Sequence, residues 1–186
     1  MKQFILTPLA VGALALGLCL NAPAGTNSGE VDFGKLGEPV KGSKYIEVNI
    51  GKNLISLAAR LVEKQQPEAA ALLRSVQLVR VNVLGLVDAN RSDTEKRVGE
   101  IRTQLAGQGW ERIVTVQEQS GEDVAIFIKA RSDEALEGVV VTVVDGQKKE
   151  AVFVNIVGNI KPEQIASVGE ALNIEPLKKI GEATKK

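Results

Sequence analysis

The chain has 186 residues, with 23 basic and 23 acidic side chains, one cysteine and no histidine. Its length suits one domain built around a single core. Because the charges balance, no overall positive field draws the chain to a phosphate backbone, and we expect no nucleic-acid partner. Histidine is the commonest general base and metal ligand, so its absence leads us to expect a protein that is not an enzyme and holds no cofactor and no metal.

Residues 1–24 have the pattern of a secretory signal peptide. A basic start leads into a largely apolar run from Phe4 to Leu20, and the small residues Ala22 and Ala24 stand at the two positions that a signal peptidase reads. We therefore expect cleavage after Ala24 and export, either to the periplasm or out of the cell.

Two alternatives for the N-terminus stay open, and each would tie the protein to a membrane. The leader could be retained as an anchor, although its apolar run is shorter than the ~20 residues that a spanning helix needs. Cys19 could carry a lipid, as in bacterial lipoproteins, although that processing prefers a small residue before the cysteine and Leu18 is bulky. We expect membrane association only in these two cases.

Residues 25–44 are predicted to be a flexible linker between the leader and the domain. Five of them are glycine and only a few scattered residues are apolar, which is too little to offset the entropy of ordering the segment. Phe33 and Leu36 are candidates to dock on the domain, since apolar residues in a polar linker are often buried in a groove.

Residues 45–182 are predicted to form a single domain, followed by a lysine-rich tail at 183–186. The domain begins with a strand over 45–50, in which apolar and polar residues alternate. In the next helix the apolar residues recur at offsets 0, 3, 4, 7 and 8, which predicts one buried face formed by Leu54, Leu57, Ala58, Leu61 and Val62. A second short helix from Pro67 and a long strand over 76–87 follow.

A third helix is predicted from the capping-box spacing of Ser92 and Glu95. Its predicted buried stripe comprises Val98, Ile101, Leu105 and Ala106. Four runs of period-two alternation come next, and they predict strands over 110–118, 123–130, 139–145 and 151–158. A last helix is predicted after Pro162, with Ile165, Val168 and Leu172 facing inward.

This order of elements predicts an α+β fold. Consecutive antiparallel strands with one apolar side, and helices that each need to bury one face, are best satisfied by a two-layer sandwich. We therefore expect a mainly antiparallel sheet with the helices packed on one face.

Two stretches and the last predicted helix carry a resemblance to a known family. The stretches read EVNIGKNLISLAARL, residues 47–61, and DGQKKEAVFVNIVGNI, residues 145–160. Together with the helix after Pro162 they resemble the DUF4252 family, exported bacterial proteins of unknown function, over about residues 44–175. The resemblance implies export and one domain but no mechanism. Members of the family often carry a lipoprotein cysteine, and Leu18 departs from that pattern.

Three residues are candidates for a binding site. Asn155 and Asn159 interrupt the last strand and share a side of it with Phe153. The simplest expectation is that both amides face solvent or a strand end, and Asn159 could also accept a hydrogen bond from the following helix N-terminus. Trp110 joins a helix end to a strand, and we expect it to fill the core more readily than to bind a ligand.

The sequence supports two functional hypotheses. The first is an exported cell-envelope module without enzymatic activity that binds an unknown envelope protein or a second copy of itself, for example by pairing a sheet edge with an extended segment. The alternative is a periplasmic carrier of a small apolar ligand or lipid, held in a pocket between the helices and the sheet.

Overall fold

The computed structural model describes residues 28–34, 36, 40–119, 121–161, 164 and 167. The helices and strands of this part are β1 Tyr45–Gly51, α1 Lys52–Val62, α2 Pro67–Ser75, β2 Val76–Gly85, α3 Asp88–Gly107, β3 Glu111–Gln117, β4 Glu122–Ser132, β5 Ala135–Asp145 and β6 Glu150–Ile160. The predicted leader, Cys19, the inward residues of the helix after Pro162 and the lysine-rich tail lie outside the described residues. Within these residues no helix combines the length and apolarity needed to cross a bilayer.

The six strands form one sheet in the order β1-β2-β6-β5-β4-β3, and every neighbouring pair is antiparallel. β5 and β6 lie at its centre, and β1 and β3 are its edges. Short turns join β3 to β4, β4 to β5 and β5 to β6, which is the usual way to connect antiparallel neighbours. The predicted α+β class with a mainly antiparallel sheet is confirmed.

The helices do not share one face of the sheet, which corrects the prediction. Val139 and Val141 belong to a core cluster with Ile55 of α1 and Leu72 of α2. The intervening Val140 belongs to a second cluster that includes three residues of α3. Neighbouring residues of a strand point to opposite faces, so α1 and α2 cover one face, here called the α1 face, and α3 covers the other, the α3 face.

The physical reason lies in the central strands, which are apolar on both sides. Residues 139–144 read VVVTVV and residues 152–157 read VFVNIV. Strands of this kind must be covered on both faces, whereas a strand with one polar side can leave that side in water.

The start of α3 also differs from the prediction. The helix begins at Asp88, four residues before the predicted cap at Ser92. The side chain of Asn90 accepts a hydrogen bond from the Val87 N–H at 2.8 Å and donates one to the Gly85 carbonyl at 3.0 Å. These bonds fix the turn between β2 and the helix, so the first helical turn forms upstream of the serine. The predicted stripe of Val98, Ile101 and Leu105 is buried, whereas Ala106 is exposed.

The turn between β5 and β6 is organised by the buried carboxylate of Asp145. It accepts hydrogen bonds from the N–H groups of Gln147 at 2.9 Å and Lys148 at 2.8 Å. Burial alone would raise the pKa of Asp145, but the backbone N–H of Lys148, its ammonium and the N–H of Gln147 together hold that pKa below its ordinary value. The charge on Asp145 therefore stabilises the turn.

We predict that Asp145→Ala lowers the free energy of unfolding near neutral pH by about 1–3 kcal/mol, because two N–H groups lose their acceptor. Asp145→Asn keeps an acceptor oxygen and is expected to lose less. Since the native pKa is depressed, the stabilisation by the charge is present above the unfolded-state pKa and is lost as pH falls through the native value. Urea unfolding of wild type and the Asn variant across acidic pH should therefore converge. A constant difference would contradict this account.

Candidate functional site

A segment at the N-terminal side of the domain lies in a groove on the α3 face. This segment, here called the strap, comprises residues 28–34 and 36. Val31, Phe33 and Leu36 are buried in the same cluster as α3 and the central strands. The prediction of a flexible linker is wrong for this part of residues 25–44, because three apolar side chains hold it to the domain. The predicted docking of Phe33 and Leu36 is confirmed.

Asn155 in the middle of β6 binds the main chain of the strap. Its side-chain oxygen accepts a hydrogen bond from the Val31 N–H at 2.9 Å, and its amide donates to the Gly29 carbonyl at 3.0 Å. A third, longer bond runs to the Val139 carbonyl of β5 at 3.3 Å. Asn155 has no solvent exposure, so the expectation that its amide faces solvent is wrong.

The strap is the physical reason for that burial. A central strand has neighbours on both sides, and its side chains reach water only where nothing covers the sheet. The strap supplies that cover together with two of the three hydrogen bonds that the buried Asn155 amide forms. Asn159, near the end of β6, is exposed as predicted.

Two arginines bind the strap beside Asn155. Arg80 of β2 lies directly opposite Asn155 across the strand pair, and it forms an ion pair with Glu30 at 2.6 Å. Arg97 of α3 donates two hydrogen bonds to the Phe33 carbonyl, at 2.8 and 3.2 Å. The sequence gives no local signal for these residues, because their partners lie 49 to 64 positions away in the chain.

A glycine pair allows the strap to approach β5 closely. A Cβ atom added at Gly138 would lie 2.7 Å from the Gly29 carbonyl oxygen and equally close to the Trp110 ring, and one added at Gly29 would lie 2.1 Å from the Glu137 carbonyl oxygen. Trp110 is buried beside this contact, as expected for a residue that fills the core, and the Lys129 ammonium lies 5.9 Å from its ring centroid. Both glycines are therefore required for the strap to lie where it does.

The end of the strap carries an electrostatic contact. The Ser28 hydroxyl donates a hydrogen bond to the Glu137 carboxylate. This bond is the main cause that lowers the pKa of Glu137; partial desolvation opposes it, and Arg131 and Lys129 support it. The Glu137 side chain is half-buried, but Ser28 is exposed, and a contact of this kind at the protein surface adds little to stability.

A cavity of about 640 Å³ separates the strap from α3 on one side. Five of its lining residues are charged or carry an amide, namely Glu30, Asp32, Arg97, Gln104 and Gln108, and the others are Val31, Ile101 and Leu105. The strap is thus tightly bound to the sheet but not tightly packed against this part of the helix.

A partly buried ion pair lies farther along α3. Arg102 donates to the Asp123 carboxylate at 2.7 Å and to the Thr142 hydroxyl at 2.9 Å. One nitrogen of Arg102 and one oxygen of Asp123 are buried without a hydrogen-bond partner. The pair connects α3 to β4 and β5. The described residues contain no group of three or more Cys, Asp or Glu side chains that could hold a metal ion.

A second surface lies on α1, whose buried side differs from the prediction. Ile55 and Ala59 are buried, whereas Leu54, Leu57 and Leu61 are 57%, 51% and 74% exposed. The helix is therefore rotated by roughly 100°, one residue's step, from the predicted orientation. These three leucines, here called the leucine stripe, are open to solvent.

Positive charges border the leucine stripe. Arg60 follows Leu57 by three positions on α1, which places it beside the stripe on the helix surface, and Lys64 lies in the turn just after the helix ends at Val62. The nearby Glu63 pairs with Arg74 of α2 at 2.6 Å. Among the residues that the structure covers, neither Arg60 nor Lys64 has an acidic side chain within ion-pair distance.

Comparison with known proteins gives one match. A family model described as "Domain of unknown function (DUF4252)" matches residues 41–168. No curated protein and no solved structure matches the chain. The matched range contains the groove residues Arg80, Arg97, Trp110, Gly138 and Asn155 and the whole of α1, and it begins after the strap.

We predict that Asn155→Ala lowers the free energy of unfolding by about 1–3 kcal/mol, because the buried Val31 N–H and Gly29 carbonyl lose their partner. The matched control is Asn159→Ala in the same strand, whose exposed side chain should change stability by no more than about 0.5 kcal/mol. Hydrogen exchange at the Val31 amide should accelerate only in the Asn155 variant. Equal effects of the two substitutions would contradict the assigned role of Asn155.

Proposed function

The chain belongs to the DUF4252 family, and we propose that it is an exported protein-binding module of the cell envelope without enzymatic activity, which docks a partner chain on the leucine stripe of α1. The observation that carries the proposal is the exposure of Leu54, Leu57 and Leu61 on one side of a helix. Export is supported by the signal-peptide pattern at residues 1–24, and the lack of enzymatic activity by the absence of histidine.

The leucine stripe has the spacing of a helical docking surface. Its residues stand at i, i+3 and i+7, so they form one continuous apolar row along α1. Single exposed leucines are common on protein surfaces, whereas a contiguous exposed apolar patch is a feature of interaction sites. Full burial of a leucine contributes about 1.5–3 kcal/mol, so a partner that covers the row gains a substantial apolar contact.

The charges beside the stripe indicate the chemistry of the partner. Arg60 and Lys64 are exposed; Arg60 lies beside Leu57 on α1, and Lys64 lies in the turn three positions after Leu61. A partner segment with apolar residues flanked by aspartate or glutamate would complement this border. A second copy docked stripe to stripe would bring like charges together, so the arrangement favours a different, acidic partner chain over self-association through this surface.

The alternative of an apolar-ligand carrier receives less support. The cavity beside the strap is lined mainly by charged and amide side chains, which suit water or a polar group better than a lipid tail. No feature of the described surface favours a carrier over a protein-binding module.

We predict that a synthetic helical peptide with a leucine face and flanking glutamates binds the protein at least about fivefold more tightly than the same peptide with flanking lysines. The double variant Arg60→Glu/Lys64→Glu should reverse this order, because the border then carries the opposite charge. Leu57→Asp should abolish binding of both peptides. Fluorescence anisotropy at low ionic strength measures the binding of both peptides to each variant. A smaller difference in affinity between the two peptides at higher salt would support the electrostatic contribution.

The matched control is Lys41→Glu/Lys96→Glu, which changes net charge by the same amount at exposed positions away from the stripe. It should leave the preference between the peptides intact. The proposal is overturned if neither peptide binds, or if the control inverts the preference as the stripe variant does. Binding of the protein to anionic lipid vesicles that Leu57→Asp removes, without binding of either peptide, would reassign the surface to membrane contact.

A further inference from the structure

The groove on the α3 face recognises its occupant mainly through the occupant's main chain. Asn155 binds the N–H of Val31 and the carbonyl of Gly29, and Arg97 binds the carbonyl of Phe33 twice. Hydrogen bonds of this kind depend on the path of the backbone and not on side-chain identity, as in the recognition of peptides by exposed strands. The groove is thus chemically equipped to hold a peptide segment.

Side-chain contacts add a defined sequence pattern. Glu30 pairs with Arg80, and apolar residues follow it at one, three and six positions, where Val31, Phe33 and Leu36 are buried. The Phe33 ring packs against Phe153 with ring centroids 5.6 Å apart.

Glycine is favoured at two further positions of the pattern. It stands immediately before the acid, where Gly29 meets the backbone of β5, and four residues after it, where Gly34 has a positive φ of 62°. The preferred segment therefore reads Gly, acid, aliphatic, any residue, aromatic, Gly, any residue, aliphatic.

The groove and the strap belong to different parts of the chain. The groove residues on β2, α3, β5 and β6 all lie within the range that the family model matches, and the strap precedes that range. The cavity of about 640 Å³ between the strap and α3 leaves one side of the strap unpacked. The strap is not one of the six paired strands, so its release would uncover the groove but break no strand pairing.

We propose that this groove is a peptide-binding site whose resident ligand is the strap, and that it binds in trans a segment of a partner protein with the same pattern. The strap competes with the partner segment, because only one of them can hold the hydrogen bonds of Asn155. The apparent affinity for a partner segment is the intrinsic affinity multiplied by the fraction of molecules whose groove is free of the strap. Release of the strap therefore raises the apparent affinity. The site lies on the opposite face of the sheet from the leucine stripe and is independent of the function proposed above.

The test uses the full chain and a fluorescent peptide with the sequence of residues 27–37. Phe33→Ala in the chain weakens the strap and leaves every groove residue in place, so this variant should bind the peptide at least about tenfold more tightly than wild type. A peptide with alanine in place of its own phenylalanine should bind at least about tenfold more weakly than the unchanged peptide. A scrambled peptide of the same composition should not bind.

A charge exchange tests the acidic position of the pattern. Adding Arg80→Glu to the Phe33→Ala chain should weaken binding of the unchanged peptide about tenfold or more, and a peptide carrying Glu30→Arg should recover part of that loss. A merely structural role for Arg80 would lower the affinity of both peptides alike.

A milder strap variant, Glu30→Lys, keeps the three apolar side chains and is measured in parallel in case Phe33→Ala does not fold. It should show a smaller rise in affinity. The proposal is overturned if a strap variant with a wild-type circular dichroism spectrum and cooperative unfolding fails to bind the peptide, or binds the scrambled peptide equally well. Failure here leaves the leucine-stripe assay unaffected, since the two assays use different peptides and opposite faces of the sheet.

Discussion

The structure depends on one constraint, the apolar character of β5 and β6 on both sides. Val139 and Val141 point to one face and Val140 to the other, and all three are almost completely buried. Each buried valine contributes about 1.5–3 kcal/mol relative to exposure, so neither face can be left in water without a large loss of stability. The chain meets this constraint with α1 and α2 on one face and with α3 and the strap on the other.

The position of Asn155 follows from the same constraint. An amide in the middle of a strand that is buried on both faces must find hydrogen-bond partners, since an unsatisfied polar group there costs about 1–3 kcal/mol. The neighbouring carbonyl of Val139 accepts only one of its bonds, and the strap provides the other two. The polar group and the segment that covers it are therefore mutually dependent. An apolar residue at this position would leave the strap attached through its side chains and the arginines alone.

The sequence predicts the strands of this fold well, because alternation along a strand is a local signal. All four runs of period-two alternation correspond to β3, β4, β5 and β6, with boundaries shifted by a few residues. Alternation alone does not show that the central strands are covered on both faces of the sheet. The nearly continuous apolar run from Val139 to Val144 does indicate it, because a strand with one polar side would not have such a run. The groove could not be predicted, because Arg80, Arg97 and Asn155 meet the strap only after distant parts of the chain come together.

The orientation of α1 shows where a helical pattern stops being informative. Its apolar residues, from Leu54 to Val62, lie around more than one side of the helix, so their spacing alone does not fix which side is buried. α1 follows β1 directly after Gly51 and contacts α2, and in this arrangement Ile55 and Ala59 are the buried residues. Leu54, Leu57 and Leu61 are left exposed. Because the sheet lies between them, the exposed leucines of α1 and the groove that holds the strap are on opposite faces of the domain.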